Sequence, residues 1–219
     1  MIGIFGGTFD PVHYGHLRSA LEVSEIAGLS ELRFIPCHRP PHRGTPGATP
    51  RQRLEMLKTA LENAPPSFRI DTREMERPGP SFMVDTLRSL RHDIGRRPMA
   101  LIVGADAFRS LEGWHQWPDL FDLAHLLIMQ RPGESSDWPQ ALAAIFKERQ
   151  ALGMSSLHER PQGLIASISV TPLAISASQI RCRLEAGNSA QFLTPDSVIE
   201  RIKAWHLYGT GENQKPPEA

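Results

Sequence analysis

The apolar positions along this chain follow two alternating rhythms. Short, nearly unbroken apolar runs mark strands buried on both faces. They occur in "MIGIF", which stops at Gly6, and in "ELRFIP" (31–36), "FRIDT" (68–72), "MALIVG" (99–104), "AHLLIMQ" (124–130) and "GLIASISV" (163–170). Between them lie stretches with helical spacing. In residues 16–29, Leu17, Ala20, Leu21, Val23 and Ala27 predict a helix that ends near Gly28. In 51–64, Leu54, Leu57, Ala60 and Leu61 share one face. Further helices are expected after a turn within 79–95, and over 139–152, 176–187 and 194–209. The last has Thr194 as its expected N-cap and Pro195 at the first helical position.

Strands alternating with helices imply parallel neighbours joined by right-handed crossovers. The expected fold is therefore α/β: a doubly wound parallel sheet with a small C-terminal helical part. Residues 1–208 read as a single domain without internal repeats, and 209–219 as a polar, frayed tail. In such sheets ligands bind beyond the carboxyl ends of the strands, where the strand order reverses. The residues to watch are those just after strands.

Composition narrows the function. Lys and Arg together number 24, as do Asp and Glu, so the net charge is zero. A neutral chain lacks the broad basic field of a general nucleic-acid binder. Only two cysteines are present, Cys37 and Cys182. They form no disulfide framework and lack metal-ligand spacing, as expected of reduced thiols. Asp10 and His13 interrupt the first apolar run before a signal sequence develops. No run is long enough to span a bilayer. A soluble, cytoplasmic protein with neither a nucleic-acid nor a membrane partner is expected. The oligomeric state is left open.

The most informative stretch is "GGTFDPVHYGH", Gly6 to His16. Gly6 and Gly7 follow the first strand and, lacking Cβ, let backbone N–H groups approach an anion. Thr8 adds a hydroxyl. His13 and His16 flank Gly15 and, three residues apart, can share one side of a helix's first turn. The positive end of the helix dipole points the same way, which suits phosphate oxygens. A zinc site would need a third ligand, and none lies near. The pattern is neither a Walker loop nor a dinucleotide fingerprint.

"GTFDPVHYGH" resembles the first motif of the nucleotidyltransferase α/β-phosphodiesterase superfamily, with "HYGH" at its H-x-G-H. "ISASQIR" (Ile175 to Arg181) is similar to the second motif, with Ser178 where threonine is usual. Ser176 can cap a helix, and Arg181 offers a guanidinium fork. Three further stretches, "PPHR" (40–43), "SFMVDTLR" (81–88) and "VGADAFRSLEGWHQWPDL" (103–120), together with "QRPG" (130–133), resemble the bacterial nicotinate mononucleotide adenylyltransferase family. The likeness runs from Met1 to about Tyr208. It implies a Rossmann-like nucleotidyltransferase fold and a place in NAD biosynthesis. It also implies adenylyl transfer from ATP to nicotinate mononucleotide, with Mg²⁺ bridging the triphosphate.

The resemblance implies roles for particular residues. His13, His16 and Arg181 would be catalytic, stabilising charge on the phosphates. Gly6, Gly7, Thr8, Phe9 and Gly15 would border ATP from the first motif, as would Ile175, Ser176 and Ser178 from the second. Gly104, Asp106 and Arg131 would border it between them, with Asp106 facing the nucleotide or its ribose. Trp114 would stack on the pyridine ring, while Trp117 packs structurally. Backbone N–H groups near Thr86 and His115 would hold the pyridine carboxylate. His42 and Arg43 lie on a basic loop, where they either reach phosphates or are solvated, and the resemblance places them at the substrate. No protein metal ligand is expected. Two other readings are another adenylyltransferase of the superfamily, such as one acting on phosphopantetheine, and a non-catalytic nucleotide-binding regulator. A class I aminoacyl-tRNA synthetase fragment would need a lysine-rich second motif, which is missing.

Overall fold

Six of the apolar runs become strands of one sheet: β1 (Ile2–Gly7), β2 (Glu31–Pro36), β3 (Phe68–Ile70), β4 (Met99–Gly104), β5 (His125–Gln130) and β6 (Ile165–Ser169). The computed structural model describes residues 1–41, 44–131 and 137–210. His42, Arg43 and most of the expected C-terminal tail lie outside the described residues. The strand order is β3-β2-β1-β4-β5-β6, and every neighbouring pair is parallel. The order reverses between β1 and β4, which opens a crevice beyond their carboxyl ends.

Parallel strands need crossovers, and helices between the strands supply them: α1 (Tyr14–Ile26), α2 (Pro50–Ala60), α3 (Arg73–Glu76), α4 (Met83–Ile94), α5 (Ala105–Arg109), α6 (Gln140–Arg149) and α7 (Ser156–Glu159), with α8 (Ala177–Glu185) and α9 (Asp196–Ala204) following the last strand. Alternate strand side chains feed two separate cores. Ile2, Ile4, Leu101 and Val103 pack against Val84, Leu87 and Leu90 of α4 and Phe108 of α5. Phe5, Ala100 and Ile102 pack against α1, α2, α8 and α9 through Val23, Leu57, Ile180 and Ile202. The C-terminal helices thus cover the same face as the first two. Among the described residues no helix is long and apolar enough to cross a membrane.

Several local expectations shift. Helix α1 stops before Gly28, which takes a left-handed φ of 58° as a C-terminal glycine does. On α2 the buried residues are Arg53, Met56 and Leu57, so the inward face is rotated from the one led by Leu54. Thr194 does not cap α9. It is fully buried, and its hydroxyl donates instead to the Val12 carbonyl at 2.7 Å, tying α9 to the segment before α1.

Candidate active site

A cleft of 1060 Å³ opens at the carboxyl ends of the strands, across the β1–β4 switch point. That volume is at the upper end for a drug-sized ligand. The cleft gathers residues far apart in sequence. Gly6, Gly7, Thr8, Phe9, His13, Gly15 and His16 border it, as do Gly104, Asp106 and Arg131. Ile175, Ser176, Ser178 and Arg181 close it from the other side, and Trp114 and His115 from a third. Thr86 does not border it.

Chain geometry around the first motif explains its two histidines. His13 is the N-cap of α1, and His16 sits one turn in. The His13 amide donates to His16 Nδ1 at 3.3 Å. In a neutral His16 ring the proton then sits on Nε2, leaving a donor there. The two rings stack, with centroids 3.7 Å apart and planes 27° from parallel. Phe9 meets His16 edge-on at 5.2 Å. Burial lowers the His13 pKa to about 4, so it is a neutral ring at physiological pH. Its Nδ1 is buried with no partner among the described residues.

The paired glycines serve packing as much as access. A Cβ on Gly6 would lie 2.5 Å from the Met83 methyl, and one on Gly7 would lie 2.8 Å from the Phe9 ring. At Gly15 a Cβ would meet His13 Nδ1 at 2.9 Å and the Ile175 carbonyl at 3.2 Å. A glycine there lets the first motif close onto the second. In the second motif, Ser176 Oγ accepts from the Gln179 amide at 3.1 Å and caps α8.

Three residues with no role in the sequence reading hold this end of the cleft. The buried Asp10 carboxylate accepts from the amides of Gly47 (2.8 Å) and Ala48 (3.1 Å) and from the Tyr208 hydroxyl (2.6 Å). Arg181 Nη1 donates to the Asp10 carbonyl at 2.7 Å. Burial, with the Asp10 carboxylate second, raises the Tyr208 pKa, so the phenol remains a donor. Arg53 is wholly buried. Its fork donates to the carbonyls of Thr8 (2.6 Å) and His38 (3.1 Å), clamping the segments that follow β1 and β2. Burial lowers its pKa, with Cys37, Asp10 and Tyr208 opposing the shift. Only Asp10 lies in a stretch that the sequence singles out.

Trp114, His115 and Phe82 give another part of the cleft lining an aromatic character. Trp114 is half-buried against the core beneath α4, and the His115 ring packs on Phe82 at 4.3 Å. Trp117 lies edge-on to Phe121 at 6.2 Å, as a packing residue does. Phe82 and Met83 border the cleft at the start of α4. Thr86 is a turn further in. Its amide donates to the Phe82 carbonyl at 3.3 Å and its hydroxyl to Glu74 at 2.6 Å. The expectation that a backbone donor at Thr86 faces the ligand is therefore corrected: that amide is spent inside the helix. The amides of the first turn, beginning at Met83, have no acceptor within α4.

A buried polar group braces this turn. Arg77 Nη2 donates to Thr86 Oγ1 (3.1 Å) and to the Phe82 carbonyl (3.3 Å). Ser81 Oγ accepts from the amides of His38 and Arg39. Burial raises the Glu74 pKa, opposed by hydrogen bonds from Thr86 and Ser81 and by the Arg77 charge. Among the described residues no three His, Cys, Asp or Glu side chains converge as a metal cluster.

The chain is similar to known proteins. Residues 4–183 match the cytidylyltransferase-like family model. The chain is 52% identical to the probable nicotinate-nucleotide adenylyltransferase of Methylococcus capsulatus, over 95% of this chain and 99% of that protein. It is 46% identical to the protein of the same name from Halorhodospira halophila, over 95% of each. Among solved structures, Plasmodium falciparum nicotinic acid mononucleotide adenylyltransferase complexed with NaAD superposes with a TM-score of 0.73. That match covers 96% of this chain and 98% of the other, at 18% identity, and shows the shared fold. The chain belongs to the cytidylyltransferase-like family and, within it, to the nicotinate-nucleotide adenylyltransferases.

Proposed function

We infer that this chain transfers the adenylyl group of ATP to nicotinate mononucleotide, releasing nicotinate adenine dinucleotide and pyrophosphate, as a cytoplasmic step of NAD biosynthesis. The observation that carries this reading is one cleft with two unlike ends. The stacked His13–His16 pair and Arg181 converge at one, and Trp114, His115 and the start of α4 at the other. The first suits a triphosphate and the second a flat, acidic ring.

The mononucleotide phosphate is already ionised at neutral pH and attacks the α-phosphorus directly. One P–O bond forms to its oxygen, and the bond to the departing pyrophosphate breaks in line with it. No covalent enzyme intermediate is needed. The protein positions the two nucleotides and stabilises charge. His16 donates from Nε2 and His13 from its neutral ring to oxygens around the α-phosphorus. Arg181 directs the rest of its fork to the β- and γ-phosphates. Gly104 and Asp106, after β4, face the nucleotide, and Arg131 flanks it. Donors rather than carboxylates dominate the phosphate end. That set fits a Mg²⁺ ion that arrives on ATP and keeps phosphate and water ligands. Bound with ATP, such an ion would neutralise triphosphate charge as part of the substrate.

At the other end Trp114 offers a face to the pyridine ring. The unpaired amides at the start of α4, from Met83 onward, and the amide near His115 take its carboxylate. These are donors only, so an amide substituent would set its NH₂ against them. Incubation with ATP, Mg²⁺ and nicotinate mononucleotide tests the reading. It should give one dinucleotide and one pyrophosphate per turnover, and failure to form the dinucleotide would overturn it.

A further inference from the structure

We propose that Tyr208 is a positioning residue for adenylyl transfer, acting through Asp10 to keep the Arg181 guanidinium turned toward the triphosphate. The proposal rests on the adenylyl-transfer reading and deepens it.

Tyr208 is placed with effort. It has φ 53°, and His206 two residues earlier has φ 50°, both left-handed and neither a glycine. Such conformations persist only where surrounding contacts over-determine them. The contacts lead to the site. The Tyr208 ring lies against Gly47, where a Cβ would fall 2.8 Å from its Cε1. The hydroxyl, almost wholly buried, donates to Asp10 Oδ1 at 2.6 Å. Tyr208 itself borders the cleft.

Asp10 serves two masters. Its carboxylate holds Tyr208 and the amides of Gly47 and Ala48, while its main-chain carbonyl holds Arg181 Nη1 at 2.7 Å. The same Nη1 is 3.7 Å from Asp10 Oδ2, an ion pair at the edge of contact. The Tyr208 hydroxyl saturates Oδ1 and helps keep the carboxylate in its present rotamer. Without it, a buried carboxylate lacks a donor. The nearest cation to make up that loss is Arg181. A full Asp10–Arg181 pair would draw the fork off the phosphates and onto the protein. Tyr208 is thus a hydrogen-bond competitor that leaves Arg181 available to substrate.

The test is steady-state kinetics on Y208F, which removes only the oxygen, on R181K, and on the double variant. Y208F should raise KM for ATP on the order of tenfold and leave KM for nicotinate mononucleotide within about twofold. In the R181K background it should change KM for ATP by less than about twofold, because neighbours acting through one group are not additive. G47A keeps the hydroxyl but pushes on the ring, and should shift KM for ATP in the same direction by less. It carries the test if Y208F does not fold. An unchanged KM for ATP in the folded variants overturns the proposal, as does a full additive effect in R181K. A purely structural role would lower Tm and leave the ATP-to-mononucleotide KM split unmoved. A wild-type chain that makes no dinucleotide would instead count against the functional reading itself.

Discussion

The two ends of the cleft are built on different principles. The end proposed to take the triphosphate, the phosphate end, is held by hydrogen bonds between distant segments: Asp10 to Gly47, Ala48 and Tyr208, Arg53 to Thr8 and His38, and Arg181 to Asp10. The end proposed to take the pyridine ring, the pyridine end, pairs the His115 and Phe82 rings beside a helix start, braced by Glu74, Arg77 and Ser81. The first positions donors through hydrogen bonds between distant segments, as stabilising charge in a transition state would require. The second offers a flat surface and a row of amides, as recognition of a ring and its substituent requires. Damage at the first should therefore appear in turnover or in KM for ATP, and damage at the second in affinity and selectivity for the mononucleotide.

The largest effect is expected at His16. H16A should lower kcat by roughly a hundredfold to a thousandfold, the range for removing one donor to developing charge, while ATP binding by calorimetry persists. A near wild-type kcat would end the proposed role. The ends should next separate in their pH dependence. The His13 pKa is lowered to about 4 by burial. Its contribution to stability is complete above the unfolded value near 6.5 and is lost as pH falls from there toward 4, by up to about 3 kcal/mol. Glu74 has the opposite sign. Its pKa is raised by burial, so its contribution is complete below the unfolded value near 4.5 and is lost as pH rises through the folded value. Urea unfolding across pH 4–7 should show the His13 slope flatten in H13Q and persist in E74Q. Equal slopes in H13Q and wild type would contradict the assignment.

Trp114 should come next. W114A should weaken both nicotinate and nicotinamide mononucleotides by a similar factor, about 1–3 kcal/mol for a stacked ring, with kcat less affected. A loss confined to the acid would move the carboxylate contact onto Trp114. The smallest kinetic effect is expected at Thr86. T86V deletes the hydroxyl between Glu74 and Arg77 and should reduce stability by roughly 1–3 kcal/mol. The acid-to-amide ratio of kcat/KM should stay within about threefold, since the Thr86 amide is already spent on Phe82. A collapse of that ratio would restore Thr86 as a direct contact.

The sheet was legible because its signal is local. "MALIVG" matches β4 residue for residue, and all six strands follow apolar runs. The short helices α3, α5 and α7 carry too few residues for a period, and tertiary contacts decide them. Thr194 has the right type and place for a cap, yet the buried Val12 carbonyl takes its hydroxyl. The phosphate end was legible as a contiguous string, and the side chains that pin it were not. Arg53 lies outside the apolar face marked in 51–64, and only the fold brings the carbonyls of Thr8 and His38 to its guanidinium. Tyr208 is 198 residues from its partner Asp10, a distance that no spacing rule covers. At the pyridine end, sequence marks "SFMVDTL" as a whole, and only the helix start shows that Met83 borders the cleft and Thr86 does not.

The central claim is that one end of the cleft transfers an adenylyl group and the other selects an acid. It is tested most directly by the ratio of kcat/KM for nicotinate over nicotinamide mononucleotide, measured on the wild-type chain with saturating ATP and Mg²⁺. An unpaired buried donor costs roughly 1–3 kcal/mol, and loss of a charged acceptor adds to it. The account therefore predicts dinucleotide formation with a preference for the acid of about a hundredfold or more, at 1.4 kcal/mol per tenfold. Comparable values for the two mononucleotides would contradict it.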